Sequence, residues 1–148
     1  MPNETPAAIT YDEGAAVGYK WYDVKGFKPL WAFGHGLSYT SFAYADLDLA
    51  GGDTVTATFT VSNTGERAGA EVTQLYLTAP RTRLLAFERV ELEPGEARRV
   101  TLTAEPRLLA RFRDGRWTIA DGDHDVAVAT AADAPVLSGG VTLGSRHL

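Results

Sequence analysis

From Phe42 to the C-terminus, hydrophobic and polar residues alternate in short runs that are typical of β-strands. The clearest run is TVTATFTV at residues 54–61, where threonines form one face and apolar side chains form the other. The apolar face consists of Val55, Ala57, Phe59 and Val61. Strict alternation with β-branched residues predicts a strand that is buried on one side only.

Further runs predict the other strands and the architecture that they build. They lie at residues 72–79, 84–92, 97–104, 117–120, 125–130 and 136–143. In the run 84–92, the apolar phase slips between Phe87 and Val90, which indicates a bulge or a bend. Short strands separated by turn signals predict an all-β, antiparallel sandwich of about seven strands.

Two connections between these strands have specific signals. Pro94–Gly95 fits the centre of a type II turn, because Pro fixes its own φ and Gly accepts a positive φ. Residues 106–112 read PRLLARF, and Pro suits a first helical position. On a helix, Leu108, Leu109 and Phe112 would share one face, so we expect one or two helical turns there.

The segment before Phe42 has no helical or strand period, yet it is rich in large aromatic residues and glycines. Aromatic side chains carry a large apolar area, and glycines allow close approach of the backbone. We therefore predict an irregular N-terminal extension at residues 1–41, which packs against something, followed by the sandwich at residues 42–148.

Four aromatic residues of the extension admit two interpretations. Trp21, Tyr22, Phe27 and Trp31 could form a platform on which sugar rings stack, and the candidate binding residues are Trp21, Tyr22 and Trp31. They could equally form an interdomain contact or a cover for the sandwich, because exposed aromatic patches mark both kinds of surface.

Composition and charge exclude several kinds of partner and of site. The chain has 148 residues and a net charge of −5, with acids and bases interspersed, whereas nucleic-acid binding needs a clustered basic surface. It has no cysteine, so disulfides and thiolate metal sites are excluded. No apolar run approaches the ~20 residues of a membrane span, and the N-terminus lacks the features of a signal peptide. We expect no nucleic-acid partner and no membrane partner.

Three polar features could carry chemistry, but each has a simpler structural interpretation. The cluster Asp121-Gly-Asp-His-Asp125 has calcium-loop spacing, yet Ala132 stands where an EF-hand needs its bidentate Glu, so we expect a turn. His35 lies between two glycines and is expected to bond nearby backbone. Glu13 lies beside aromatics and is expected to accept backbone N–H groups. We expect no metal site and no cofactor.

Four stretches of the chain resemble motifs of one enzyme family. They are YDEGAAVGYKWYD at 11–23, FGHGLSYT at 33–40, VSNTGERAGAEVTQLY at 61–76 and LAFERVELEPGE at 85–96. In their order they resemble the C-terminal part of the family 3 glycoside hydrolases, the β-glucosidase and β-xylosidase family, with one residue fewer before Phe87 than the family motif has. The chain departs from the family pattern at Lys20, where Arg is usual, and at His124, where Tyr is usual.

In that family, this region is a fibronectin type III-like domain preceded by the tail of an α/β sandwich domain. The resemblance therefore implies that residues 11–23 are the end of a catalytic domain and that residues 33–40 are a hinge. The partners that it implies are the catalytic barrel and the α/β sandwich domain. The interdomain contacts that we expect are Tyr11, Glu13, Tyr19, Trp21, Phe33, His35 and Tyr39.

The family hydrolyses terminal β-D-glycosidic bonds with retention, through a glycosyl-enzyme intermediate. Its nucleophilic Asp and its acid/base Glu lie in the preceding domains, so the resemblance implies no catalytic residue here. We expect an inactive accessory domain of a periplasmic or secreted enzyme. Two alternatives stay open: a carbohydrate-binding module that binds oligosaccharide through exposed aromatics, and a protein-interaction sandwich.

Overall fold

The computed structural model describes residues 10 and 12–148, most of which form β-strands. Two short helices interrupt them. The elements in chain order are α1 (Tyr19–Lys25), β1 (Phe42–Ala50), β2 (Thr56–Asn63), β3 (Gly69–Leu77), β4 (Arg83–Leu92), β5 (Ala97–Thr103), α2 (Pro106–Leu109), β6 (Arg111–Arg113), β7 (Arg116–Ile119), β8 (Gly122–Ala131), β9 (Ala134–Leu143) and β10 (Arg146–His147).

Two antiparallel sheets face each other and form the sandwich. One has the strand order β1-β2-β5, and the other has the order β4-β3-β8-β9. Within the described residues, the predicted sandwich of about seven strands is thus confirmed. The run predicted at 117–120 lies outside it, because β6, β7 and β10 form a small third sheet. The seventh strand of the sandwich is instead β1, for which the sequence pattern indicated no separate run.

The core lies between the two sheets and is built from alternate positions. Val55, Ala57, Phe59 and Val61 have no exposed surface, which confirms the face predicted for residues 54–61. They pack against buried residues of the opposite sheet, such as Leu75. Burial of one such large side chain contributes about 1.5–3 kcal/mol, so these positions dominate the stability of the sandwich.

The predicted irregularity in β4 is real but lies earlier than expected. Leu75 pairs with Ala86 and Tyr76 pairs with Leu84, so the extra residue is Leu85. The bulge turns Leu85 into the core and leaves Phe87 facing solvent with 66% of its surface exposed.

The two predicted connections have different outcomes. The turn at Pro94–Gly95 is confirmed, since the N–H of Glu96 donates to the carbonyl of Glu93 at 3.0 Å and Gly95 has a φ of 76°. The prediction that Leu108, Leu109 and Phe112 share one helical face was wrong. Helix α2 ends at Leu109, and Phe112 belongs to β6 and is exposed.

The extension is not wholly irregular, because it contains α1. This helix ends where Gly26 adopts the left-handed conformation, a common way to close a helix. Its seven residues are too few for a hydrophobic period to be visible in the sequence. In the described part of the chain, neither helix is long and apolar enough to cross a membrane.

Candidate interdomain surface

Helix α1 is fixed to the sandwich by two side chains one helical turn apart. The hydroxyl of Tyr19 accepts a hydrogen bond of 2.9 Å from the backbone N–H of Leu84. The carboxylate of Asp23 accepts one of 3.0 Å from the N–H of Thr82. Residues four apart lie on the same helical face, so both side chains reach the start of β4 and the residue before it.

A buried side chain of β3, Gln74, fixes the second half of the extension. Its amide nitrogen donates to the carbonyl oxygens of Gly34 at 3.3 Å and Thr130 at 2.8 Å. The hydroxyl of Tyr76 donates to its amide oxygen at 2.7 Å. Burial, and secondly the nearby Tyr19, raises the pKa of Tyr76, so this hydroxyl keeps the proton that it donates. Gln74 therefore links the extension to β3 and β8.

The backbone at Gly34 strongly favours glycine. Its φ is +83°, and a Cβ there would collide with the side-chain amide of Gln74. Next to it, the carbonyl of Phe33 accepts a hydrogen bond of 2.9 Å from the N–H of Ala132. The ring of Phe33 stacks on that of Tyr19, with the two centroids 5.0 Å apart. The two halves of the extension thus contact each other on the surface of the sandwich.

The segment that leads into β1 has its own buried anchor. The hydroxyl of Thr40 donates to the amide oxygen of Asn63 at 2.6 Å. The amide nitrogen of Asn63 donates to the carbonyls of Arg67 at 2.7 Å and Leu92 at 3.0 Å. Asn63 is only 1% exposed, and these bonds compensate the cost of burying its polar group.

Several large apolar side chains of the extension face solvent, and we call them the apolar surface. They are Phe27, Leu30, Trp31, Leu37 and Tyr39, of which Leu30 is 89%, Leu37 92% and Tyr39 94% exposed. Phe27, Leu30 and Trp31 also line a cleft of about 640 Å³ between α1 and the sandwich. Apolar side chains exposed in such number mark surfaces that bind a partner.

The structure brings only part of the predicted sugar platform together. Tyr22 and Trp31 line the same cleft, whereas Trp21 does not. Trp21 is half-buried and lies under the ammonium of Lys25, with Nζ 4.6 Å from the ring centre. One side of Trp31 faces the ring of His35, with centroids 4.9 Å apart.

The predicted interdomain residues also divide into groups. Tyr11 lies outside the described residues. Tyr19 and Phe33 contact the sandwich, and Trp21 is half-buried as described above. Glu13 is half-buried, and its backbone carbonyl, not its side chain, accepts the N–H of Ala16 at 3.0 Å.

The last two of the predicted interdomain residues are exposed. Within the described residues, the imidazole of His35 forms no hydrogen bond, and only its backbone N–H bonds the carbonyl of Ala32, at 3.0 Å. The expected backbone contact therefore comes from the main chain. Tyr39 belongs to the apolar surface.

The acidic cluster at residues 121–125 lies mostly in a strand. Asp121 is in a bend, but β8 already begins at Gly122, so the expected turn is shorter than the cluster. The Asp123 carboxylate accepts a hydrogen bond of 2.7 Å from the hydroxyl of Thr142, and a ring nitrogen of His124 lies 3.2 Å from the carbonyl of Ala120. Among the described residues, no three potential ligands converge to hold a metal ion.

One pair of titratable groups brings together β1 and β3, which belong to different sheets. The hydroxyl of Tyr44 is buried and forms no hydrogen bond of good geometry with the described residues, although the Glu71 carboxyl lies beside it. Desolvation raises the pKa of both groups, and for Tyr44 the negative charge of Glu71 adds to the shift. Proximity to Tyr44 partly offsets the shift at Glu71, so the pair shares one half-buried environment.

Comparisons with known proteins agree with this architecture. Residues 71–132 match the family described as fibronectin type III-like domain. The thermostable β-glucosidase B of Acetivibrio thermocellus is 35% identical over an alignment 151 positions long, which covers 93% of this chain and 20% of that protein. A probable β-glucosidase I of Aspergillus niger is 38% identical, with 88% of this chain and 18% of that protein covered.

Solved structures give the same result. The β-glucosidase 3B of Thermotoga neapolitana, determined in complex with α-D-glucose, superposes with a TM-score of 0.87 at 37% identity, covering 93% of this chain and 21% of that one. The family 3 β-glucosidase of Bifidobacterium adolescentis superposes with a TM-score of 0.86 at 31% identity, covering 90% and 22%. This chain carries a fibronectin type III-like domain of the family 3 β-glucosidase type.

The fibronectin type III-like domain and its extension span about a fifth of the length of these relatives. The relatives are therefore larger proteins, of which this region is one part. The similarity covers the extension as well as the sandwich, since it includes about nine-tenths of the chain.

Two residues that fix the extension to the fibronectin type III-like domain were missed in the sequence. In the sequence, Asp23 is the last residue of the motif at 11–23 and Gln74 is one residue of the motif at 61–76, and neither motif indicates a contact for them. The available signal was the run VTQLYLTA, in which a large amide lies among apolar residues on both faces. A buried amide needs partners, so this position pointed to a contact.

Proposed function

We propose that this chain is a non-catalytic accessory domain of a β-glucosidase-type glycoside hydrolase. The parent reaction would be the retaining hydrolysis of terminal β-D-glycosidic bonds. The domain would support the catalytic barrel and the α/β sandwich domain and form part of the wall of the substrate entrance. The relatives, all β-glucosidases several times longer than this chain, support the class of the parent enzyme.

The observation that carries the proposal is the apolar surface on an extension that is itself fixed in place. Leu30 and Trp31 protrude from a segment held on both sides by Asp23 and by the carbonyl of Phe33. A partner can therefore cover these two side chains without the entropy loss that would come from ordering a flexible segment on binding. Interfaces of this kind place aromatic and aliphatic anchors at their centre, where water is excluded.

A chimeric enzyme tests this proposal. The chain replaces the corresponding C-terminal fifth of the Acetivibrio thermocellus β-glucosidase B, and hydrolysis of an aryl β-glucoside and Tm are measured. We expect an active chimera, and we expect the double variant Leu30→Ser/Trp31→Ser to lower its Tm by about 1–2 °C, because an interface anchor is worth about 2 kcal/mol and the chimera is about five times longer than this chain. The matched control is Phe87→Ser, an equally exposed aromatic on the sandwich.

Two results would overturn the proposal. The first is equal loss of Tm for the double variant and for Phe87→Ser, which would show that the apolar surface contacts nothing. The second is hydrolysis of the aryl β-glucoside by the purified chain alone, above a mock preparation, because the proposal assigns the chain no catalytic group.

Binding of neutral carbohydrate is a second candidate function, favoured by the cleft beside α1. Tyr22, Phe27 and Trp31 line it together with Asp133, which supplies a carboxylate for sugar hydroxyls. Titration of the chain with soluble glucans would then quench tryptophan fluorescence, and Trp31→Ala would abolish the quench. No quench at about millimolar sugar, where even weak sites bind, would reject this function.

A further inference from the structure

A second cleft, here called the basic cleft, is lined by cationic residues that lie in separate parts of the sequence. It has a volume of about 940 Å³ and is lined by residues of α1, of the β3–β4 connection and of the segment from α2 to β7. Its five cationic residues, against the single acid Glu105, are Lys20, Arg81, Arg83, Arg107 and Arg111. Five of the 14 lysines and arginines of an acidic chain thus surround one cleft.

Two of the arginines are held in place by the fold. Nη1 of Arg83 donates to the carbonyl oxygens of Leu108 at 2.7 Å and Ala110 at 3.0 Å. The guanidinium of Arg107 lies over the ring of Trp117, 4.9 Å from its centre, within the range of a cation–π contact. Part of the positive wall is therefore preorganised, which lowers the entropy cost of binding an anion.

Within the described residues, the cations of the basic cleft lack ionic partners. In the described part of the chain, ion pairs involve only Arg89 and Arg98, and neither of these lines the basic cleft. Like charges that are gathered in one cleft repel each other, and a bound anion relieves this repulsion. The cleft walls also focus the field, so the local concentration of anions is raised.

Apolar and aromatic side chains also line the basic cleft. Phe112, which is 59% exposed, and Trp117 lie with their ring centroids 5.4 Å apart, and Leu84 and Leu109 line the cleft as well. Sites that combine apolar rings with a few charged groups fit organic ligands that have an apolar face and a charged edge. A sugar ring with a carboxylate has both, since its C–H face is apolar and Arg can bind its carboxylate with two parallel hydrogen bonds.

We propose that the basic cleft binds an acidic oligosaccharide, one that carries carboxylates on successive sugar rings. The choice of an anion rests on the cleft alone, whereas the choice of a saccharide rests also on the proposed function. The site is separate from the apolar surface, because the two clefts share no lining residue. Binding can therefore be measured on the chain itself, whether or not the chimera is active.

Isothermal titration of the chain with a galacturonic acid pentamer tests this proposal. At about 20 mM salt we expect a Kd below about 1 mM, and at about 300 mM salt binding at least tenfold weaker, because the Debye length becomes shorter than the cleft. Cellopentaose, a neutral sugar of the same length, should bind at least tenfold more weakly. The double variant Arg81→Gln/Arg111→Gln should also weaken binding at least tenfold, because it removes two of the five cations of the cleft. Neither side chain forms a hydrogen bond or ion pair within the described residues, so the variant should fold normally.

The matched control is Arg89→Gln/Arg99→Gln, which removes two positive charges outside the cleft and should leave the Kd unchanged. Each variant must have the same Tm as the parent chain, so that a loss of binding is not caused by a loss of folding. If Arg81→Gln/Arg111→Gln is unstable, Lys20→Gln serves as the second cleft variant. Absence of binding at about 10 mM pentamer, or equal losses for the cleft and control variants, would overturn the site. Equal affinity for a glutamate pentamer would overturn the assignment to a saccharide.

Discussion

The sandwich and the extension are stabilised by different kinds of contact. The sandwich buries apolar side chains between two sheets, whereas among described residues 12–41 only Ala16 is buried. The extension is held by a few hydrogen bonds at Tyr19, Asp23 and Gln74. A core resists unfolding as one cooperative unit, but a segment held by few polar contacts can open locally. The two regions should therefore respond to different mutations and in different measurements.

Phe59→Ala is expected to give the largest effect, because it would empty the centre of the sandwich. Phe59 has no exposed surface and stacks on Tyr44, with ring centroids 6.0 Å apart. Loss of a buried Phe costs about 3–5 kcal/mol, so the free energy of unfolding from denaturant titration should fall by this amount. In the control Phe87→Ala, the aromatic is exposed, and the loss should stay below about 0.5 kcal/mol. Equal losses would contradict the assigned core.

Gly34→Ala should release the extension while leaving the sandwich folded. An Ala at this positive φ, pressed against the amide of Gln74, costs about 1–3 kcal/mol. We expect hydrogen exchange at the N–H of Ala132, which bonds Phe33, to accelerate by about 5- to 100-fold, with little change at core amides. Gly36→Ala is the control, because Gly36 has open space around it. Uniform acceleration across the sandwich would show that the two regions open together.

Tyr19→Phe should have a smaller effect, confined to one contact. The substitution keeps the aromatic stack but removes the acceptor of the Leu84 N–H, which costs about 1 kcal/mol. Exchange at the N–H of Leu84 should rise about fivefold. Tyr22→Phe on the same helix removes a hydroxyl that forms no hydrogen bond with the described residues, and it should leave this rate unchanged.

Glu71→Gln should change the pH dependence of stability more than stability itself. Because burial raises the pKa of Glu71 above its ordinary value of 4.5, the folded state binds a proton that the unfolded state releases. The stability from this group is therefore full below pH 4.5 and is lost as the pH rises through the folded pKa. Denaturant titrations from pH 4 to pH 7 should show a smaller loss of stability in Glu71→Gln than in the parent chain. The same flattening with exposed Glu88→Gln would argue against the role of burial.

Local pattern predicted the sandwich better than the extension. Alternation fixed the buried face of Val55 to Val61, and Pro94–Gly95 identified its turn, because both signals act within a few residues. The bulge at Leu85 and the place of Phe112 in β6 depend on which strand lies alongside, and such partners are distant in sequence. Periodicity alone therefore predicted that an irregularity exists but not where it lies.

The candidate surface was predicted as a region but not in its contacts. An excess of aromatics indicated that the extension packs against something, and Tyr19 and Phe33 do contact the sandwich. The bonds of Asp23 and Gln74 were not predictable, because each joins residues about 40 to 60 positions apart. The basic cleft was hidden for the same reason, since its cations lie far apart along the chain.

The bonds of Gln74 and Asn63 bear on how this domain could be exchanged between enzymes by recombination. Both cross the boundary between residues 41 and 42, where the sequence pattern changes. A sandwich inherited from Phe42 onward would carry a Gln74 amide and an Asn63 carbonyl with fewer partners than they have here. A crossover that preserves both bonds, and the contact of Tyr19, must lie upstream of α1. A recombination unit that keeps all three contacts therefore begins before the sandwich does.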